Sequence, residues 1–203
     1  MKALNLAVPY VIFVIGRPGV GKTQFATKFS ETFQLPYIEA DRLRRAVNAQ
    51  PEFSSAEQET VDQLMTLQMN ELFKTKTSFL LEGSTEAKTV RQNLAKFAKS
   101  QGYEPLFVWV QTDQATARTR ATKASRFNKH KTILLSDERF DQLSRRFTAP
   151  SETEKPVVIS GKHTYGSQIK SVLKRLAFKN RPETPALTVP KRQTMKPGSI
   201  KIS

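Results

Sequence analysis

The hydrophobic pattern of the chain consists of short, unbroken apolar runs separated by longer amphipathic stretches. YVIFVI at 10–15, LPYIEA at 35–40, TSFLLEG at 77–83, PLFVWVQ at 105–111 and PVVISG at 156–161 are too short and too evenly apolar for one-sided surface helices. They read as strands buried on both faces. Helical spacing covers about 22–33, 41–48, 55–74 and 87–100, then TDQATARTRATKASR, SDERFDQLSRRF and YGSQIKSVLKRLAF. Ser55 with Gln58 three residues on reads as a capping box, and Gly102 stands where a helix C-cap belongs. Strands alternating with helices predict an α/β fold: a parallel sheet covered on both faces, making three layers.

The apolar start of the chain changes this picture little. Lys2 followed by ALNLAVPYVIFVIG mimics an export signal, but GRPGVGKT follows it rather than a small-residue cleavage site. It contains Asn5 and Pro9 and is too short to span a bilayer, so a buried strand after a turn is expected. From Lys179 the character shifts to a basic sequence with four prolines, expected to be a disordered tail over 179–203, with the folded body over 1–178.

The sequence has no cysteine, which excludes disulfides and thiolate chemistry, and two histidines argue against a zinc enzyme. A net charge of +15 favours phosphate-bearing partners, nucleic acid among them. The tail carries six Lys or Arg against one acid, so most of the excess lies on the body.

Directly after the first strand and before the first helix, Gly16-Arg17-Pro18-Gly19-Val20-Gly21-Lys22-Thr23 fits G-x-x-x-x-G-K-[ST] in full. Glycines at these positions let backbone N–H groups turn inward around phosphate oxygens, at the positive end of a helix. Nucleotide contacts are expected from Gly16, Gly19, Val20, Gly21, Lys22, Thr23 and Gln24. Lys22 would lie between the β- and γ-phosphates of ATP and Thr23 would ligate Mg²⁺.

In a parallel sheet the remaining chemistry gathers at the same edge. Asp41, after the second strand, either caps the helix that follows or takes a proton from a substrate hydroxyl. Glu82 closes the third strand in FLLEGS and would hold the metal or its water. Between Ala115 and Leu135 stand Arg118, Arg120, Lys123, Arg126, Lys129 and Lys131 with no acid, the place to look for a lid, over about 113–147.

These motifs together resemble the P-loop kinases of the AAA-like predicted-kinase group, which are similar to polynucleotide 5′-hydroxyl kinase, zeta-toxin and nucleoside monophosphate kinase domains. The resemblance covers about residues 10–178. It implies a five-stranded sheet in the order 2-3-1-4-5 with a helical lid. It also implies Asp41 as general base, Arg44 as its phosphate-steadying companion three residues on, and Lys22 with Arg120 and Arg126 as the charge-neutralising set; Arg118 competes for that role. Where the polynucleotide kinase pattern has an aspartate, this chain has Glu82. After the fifth strand, His163 or Tyr165 would stand beside the adenine.

The expected function is ATP- and Mg²⁺-dependent phosphorylation of a hydroxyl, with a nucleic-acid 5′ end as the favoured acceptor because of the charge. The alternatives are a small-molecule kinase acting on a nucleoside, nucleotide or sugar, and a non-catalytic ATP-dependent nucleic-acid-binding protein. A cytoplasmic protein with no membrane contact is expected.

Overall fold

A computed structural model describes residues 4, 6–123 and 133–179. Arg126, part of the expected lid and nearly all of the expected tail lie outside the described residues.

Five strands, β1 (Tyr10–Ile15), β2 (Tyr37–Glu39), β3 (Phe79–Glu82), β4 (Glu104–Gln111) and β5 (Val157–Ser160), form one sheet in the order β2-β3-β1-β4-β5. Every neighbouring pair is parallel. Among the described residues seven helices flank it: α1 (Lys22–Phe33), α2 (Ala40–Val47), α3 (Ser55–Thr75), α4 (Lys88–Ser100), α5 (Gln114–Thr122), α6 (Asp137–Arg146) and α7 (Tyr165–Lys179).

The central strand explains the architecture. All six residues of β1 are buried, and successive side chains point to opposite faces. Tyr10, Ile12 and Val14 join Phe25 and Phe29 of α1 and Val172 and Leu176 of α7 in one core. Val11, Phe13 and Ile15 join Leu43 of α2, Met65, Met69 and Phe73 of α3 and Ala98 of α4 in the other. A continuous apolar run is therefore what a strand sandwiched between two helical layers requires.

Two local expectations are corrected. The helix at 55 begins one residue earlier in its capping register: Ser54 is the N-cap, and its side chain accepts the Glu57 backbone N–H. Neither Gln58 nor Glu57 closes a capping box there, because both side chains are turned towards Arg44. Asp41 is not an N-cap either; α2 starts at Ala40, Glu39 precedes it, and no side chain caps that end.

Arg91 of α4 is fully buried, a costly position that needs complete pairing. It donates to Glu154 at 2.7 Å and to the carbonyls of Thr85 and Glu86 at 3.0 and 2.9 Å. The loop leaving β3 is thereby fastened to the 3-10 turn Glu152–Glu154, which precedes β5. Among the described residues no helix is long and apolar enough to cross a membrane.

Candidate functional site

The glycine-rich turn joins β1 to α1 at the sheet's carboxyl edge. Its backbone needs glycine for reasons the geometry makes explicit. At Gly19 φ is +73°, and a Cβ there would lie 2.0 Å from the Ala117 carbonyl oxygen of α5. Gly161, in the loop after β5, approaches from the other side so closely that a Cβ would meet the Val20 carbonyl at 1.8 Å. The turn is thus held between α5 and the β5–α7 loop. The Lys22 ammonium donates to the Arg17 carbonyl at 3.0 Å, folded back over the same turn.

Thr23, the second residue of α1, donates its hydroxyl to Glu82 Oε1 at 2.9 Å. The Tyr37 hydroxyl donates to Glu82 Oε2 at 2.5 Å. Glu82 is buried, and burial pushes its carboxyl up to about 7; Asp41 pushes in the same direction, while Lys22, Tyr37 and Thr23 pull it down. Tyr37 is held far above the ordinary phenol range, first by burial and then by the negative charges of Glu82, Glu39 and Asp41. A hydroxyl and a carboxylate oxygen side by side make a hard-oxygen donor pair. Such a pair fits Mg²⁺, which takes few protein ligands and keeps the rest of its shell for waters and phosphates.

Tyr37 and Glu39 were not singled out from the sequence. The signal was present in the alternation of β2: Ile38 is buried, so its two neighbours share the opposite face. Glu39 also stands directly across from Glu82 in the β2–β3 register, and burial raises its carboxyl.

Asp41 and Arg44 lie on α2 beside a cleft of about 1180 Å³, whose walls include α3, α6 and the loop after β3. The Asp41 side chain is 43% exposed and 3.9 Å from Arg44 Nε. Arg44 is anchored elsewhere. It donates to Glu57 at 2.8 Å and to Gln58 at 2.6 Å, and its guanidinium lies 4.8 Å from the Phe53 ring centre. Gln58 continues to Asp62, which also accepts from Ser84 beyond β3. Arg44 therefore fixes α2 and Asp41 against α3, a role that a residue 13 positions distant supplies and that local spacing does not reveal.

The lid arginines part company. Arg118 pairs with Asp137 and Asp141 of α6 and stacks over Phe140, so it joins α5 to α6. Arg120 instead donates to the Gly161 carbonyl at 3.1 Å and comes within 4.0 Å of a Cβ built on Gly21. Of the two arginines of α5 it is the one that faces the phosphate turn.

Beyond β4 and β5 a cavity of about 650 Å³ is lined by Thr112, Asp113, Ser160, Lys162 and His163 among others. Lys162 pairs with Asp113, the N-cap of α5. His163 stands at this cavity, where the sequence places an adenine contact. Tyr165 turns away from it: its hydroxyl donates to Thr32 at 2.8 Å and its ring packs 6.3 Å from Phe25.

This fold is that of the P-loop kinase group. Residues 11–150 match the family AAA_33, described as an AAA domain, and the chain belongs to that family. Among solved structures it is similar to a gluconokinase from Sinorhizobium meliloti 1021 at 15% identity and TM-score 0.59, over 85% of this chain and 94% of the other. It is similar to the Mycobacterium tuberculosis APS kinase CysC, solved with AMPPNP and APS, at 15% identity and TM-score 0.58, over 84% and 98%. A shikimate kinase from Aquifex aeolicus vf5 aligns at 14% identity and TM-score 0.52, over 83% and 97%. Among curated proteins no match is found.

Proposed function

We propose that this protein transfers the γ-phosphoryl group of ATP, with Mg²⁺, to a hydroxyl of a small molecule held in the cleft beside Asp41. The observation that carries this reading is the juxtaposition at one sheet edge of a phosphate turn, the Thr23–Glu82 oxygen pair bonded at 2.9 Å, and a half-exposed carboxylate, Asp41, at an adjoining cleft. Nucleotide binding alone would not need the last of these.

The residues take complementary parts. Backbone N–H groups of 19–23 and the Lys22 ammonium hold the phosphates, and Lys22 leaves the Arg17 carbonyl to do so. Thr23 and Glu82 would hold Mg²⁺, which when bound supplies neutralisation of charge on the β- and γ-phosphates. Asp41 accepts the proton as the acceptor oxygen forms its bond to the γ-phosphorus. The bond from that phosphorus to the β–γ bridging oxygen breaks, and ADP leaves with its electron pair. Arg120 stabilises charge on the transferring group, and catalysis comes mainly from positioning and electrostatics.

The small-molecule acceptor displaces the nucleic-acid 5′ end favoured from charge. The similar solved structures are named as kinases of gluconate, APS and shikimate. The cleft is also closed on one side, since Arg139 of α6 stacks 4.9 Å from Phe53 in the α2–α3 segment.

The test is transfer of labelled γ-phosphate from ATP to sugars, sugar acids, nucleosides, nucleotides and 5′-hydroxyl oligonucleotides, for the native chain and for Lys22→Ala and Asp41→Asn. Label on a small molecule is expected, absent with Lys22→Ala and reduced about 10²–10⁴-fold with Asp41→Asn. Label confined to oligonucleotides would return the acceptor to nucleic acid. Full transfer by Asp41→Asn would remove Asp41 as base.

A further inference from the structure

The cleft beside Asp41 is electrically lopsided. Its α3 wall carries Glu59 and Asp62, and Glu86 lines it after β3. Its α6 wall carries Arg139, Gln142, Leu143 and Arg146, residues three, four and seven apart and so on one face of the helix. Among the described residues neither Arg139 nor Arg146 forms an ion pair, in contrast to Arg44, Arg91 and Arg118. Asp62, on the facing wall, is already taken by Gln58 and Ser84.

Arg139 is held in a way that leaves capacity unused. One guanidinium nitrogen donates to Gln142 at 2.5 Å and another reaches the Phe53 carbonyl at a long 3.3 Å. Its Nε is buried without any partner. Burial lowers its affinity for a proton, and the like charges of Arg146 and Arg44 add to that, outweighing Glu57. Phe53, between Arg44 and Arg139 at 4.8 and 4.9 Å, sits at φ +57°, a backbone region that non-glycine residues seldom occupy. Like-charged guanidiniums around one ring, with a buried donor unsatisfied, form an arrangement that an incoming anion relieves.

We propose that the acceptor is a small anionic molecule whose carboxylate, phosphate or sulfate group is bound by Arg139 and Arg146 of α6, with its hydroxyl directed to Asp41. This rests on the kinase reading for the hydroxyl and not for the anion. Planar guanidinium forks suit oxyanions of all three kinds. Anchoring at one end and reaction at the other is what fixes a flexible small acceptor in line with the γ-phosphate.

The experiment has two arms. In the first, inorganic phosphate is titrated into the full chain saturated with AMPPNP and Mg²⁺, so that the phosphate turn is filled, and is followed by NMR or calorimetry. Arg139→Gln and Arg146→Gln are expected to weaken phosphate binding about tenfold to a hundredfold with AMPPNP affinity unchanged. Arg145→Gln, an exposed neighbour on the same helix that does not line this cleft, is expected to bind as the native chain does and controls for bulk charge. Phosphate binding unaltered in both cleft variants overturns the proposal whether or not the protein is a kinase.

In the second arm, transfer is compared for acceptors paired by charge, gluconate with glucose and adenosine 5′-phosphate with adenosine. Preference for the anionic member, with KM raised and kcat less affected in Arg139→Gln, supports the subsite. Equal use of the neutral member overturns it and leaves the kinase reading standing. Loss of phosphate binding in the variants without transfer to any acceptor would sustain the anion site and count against the kinase reading alone.

Discussion

The Thr23 hydroxyl and Glu82 Oε1 are bonded at 2.9 Å across 59 positions of sequence. Parallel pairing of β1 with β3 creates this contact, because it brings the start of α1 and the end of β3 to the same edge. Glu82→Gln keeps the size of the side chain and removes the charge that a divalent cation requires. The Mg²⁺ concentration for half-maximal phosphoryl transfer is expected to rise about tenfold or more. Metal-free nucleotide binding, followed by fluorescence, should be no weaker. An unchanged Mg²⁺ titration would remove Glu82 from the metal site.

The two arginines of α5 should behave differently. Arg120 faces the phosphate turn through the Gly161 carbonyl, so Arg120→Ala is expected to lower kcat by about 10³-fold with little change in Tm. Arg118 is a pairing residue between α5 and α6, so Arg118→Ala should chiefly lower Tm. Kinetics and thermal melts on the same preparations check both, and the reverse pattern would exchange their roles.

Glu57 provides a pH-dependent contribution to stability. Burial raises its carboxyl, but the hydrogen bond from Arg44 and the backbone N–H groups of Glu52 and Phe53 outweigh this and hold it below the usual range. A lowered folded-state value means stability that is present above the unfolded carboxyl value of about 4.3 and is lost as pH falls through the folded one. Glu57→Gln should therefore cost about 3 kcal/mol near pH 7, because it removes the close buried charge that pairs with Arg44 and leaves only neutral Gln58 and the more distant Asp41. That cost should shrink steadily below about pH 4.3. Urea melts of both proteins from pH 3 to 7 measure it; a constant difference would mean that the carboxylate charge is not what matters.

Gly161 has no unusual backbone angle to explain it, only proximity: a Cβ would sit 1.8 Å from the Val20 carbonyl. Gly161→Ala must push the β5–α7 loop away from the phosphate turn, carrying the Arg120 contact with it. Nucleotide affinity is expected to fall about tenfold or more, with the far-UV spectrum preserved, since the displaced atoms are backbone and not a flexible side chain. Native affinity in this variant would show that the loop can shift without disturbing the turn.

Short-range physics governs the features that could be read directly from the order of residues. A six-residue apolar run bounded by Pro9 and Gly16 reads as a strand covered on both sides, so β1 was legible to the residue and the parallel sheet followed. The glycine-rich turn between β1 and α1 was equally legible, because the positions that need glycine all fall within the eight neighbours Gly16 to Thr23. Gly102 at the end of α4, with φ +81°, belongs to the same class.

Which partner each charged side chain finds is set by long-range packing. Arg44 and Asp41 share a helix turn, yet Glu57 and Gln58 of α3 claim the arginine, and that same claim keeps Gln58 out of the expected capping arrangement. Arg118 and Arg120 are two residues apart and point to different neighbours. Tyr37 gains its place at Glu82 from strand register, and Arg139 gains its place at Phe53, 86 positions away, from helix packing. Ion pairing falls off within a few ångströms and depends on orientation, so it is set by the packed chain and not by spacing along it.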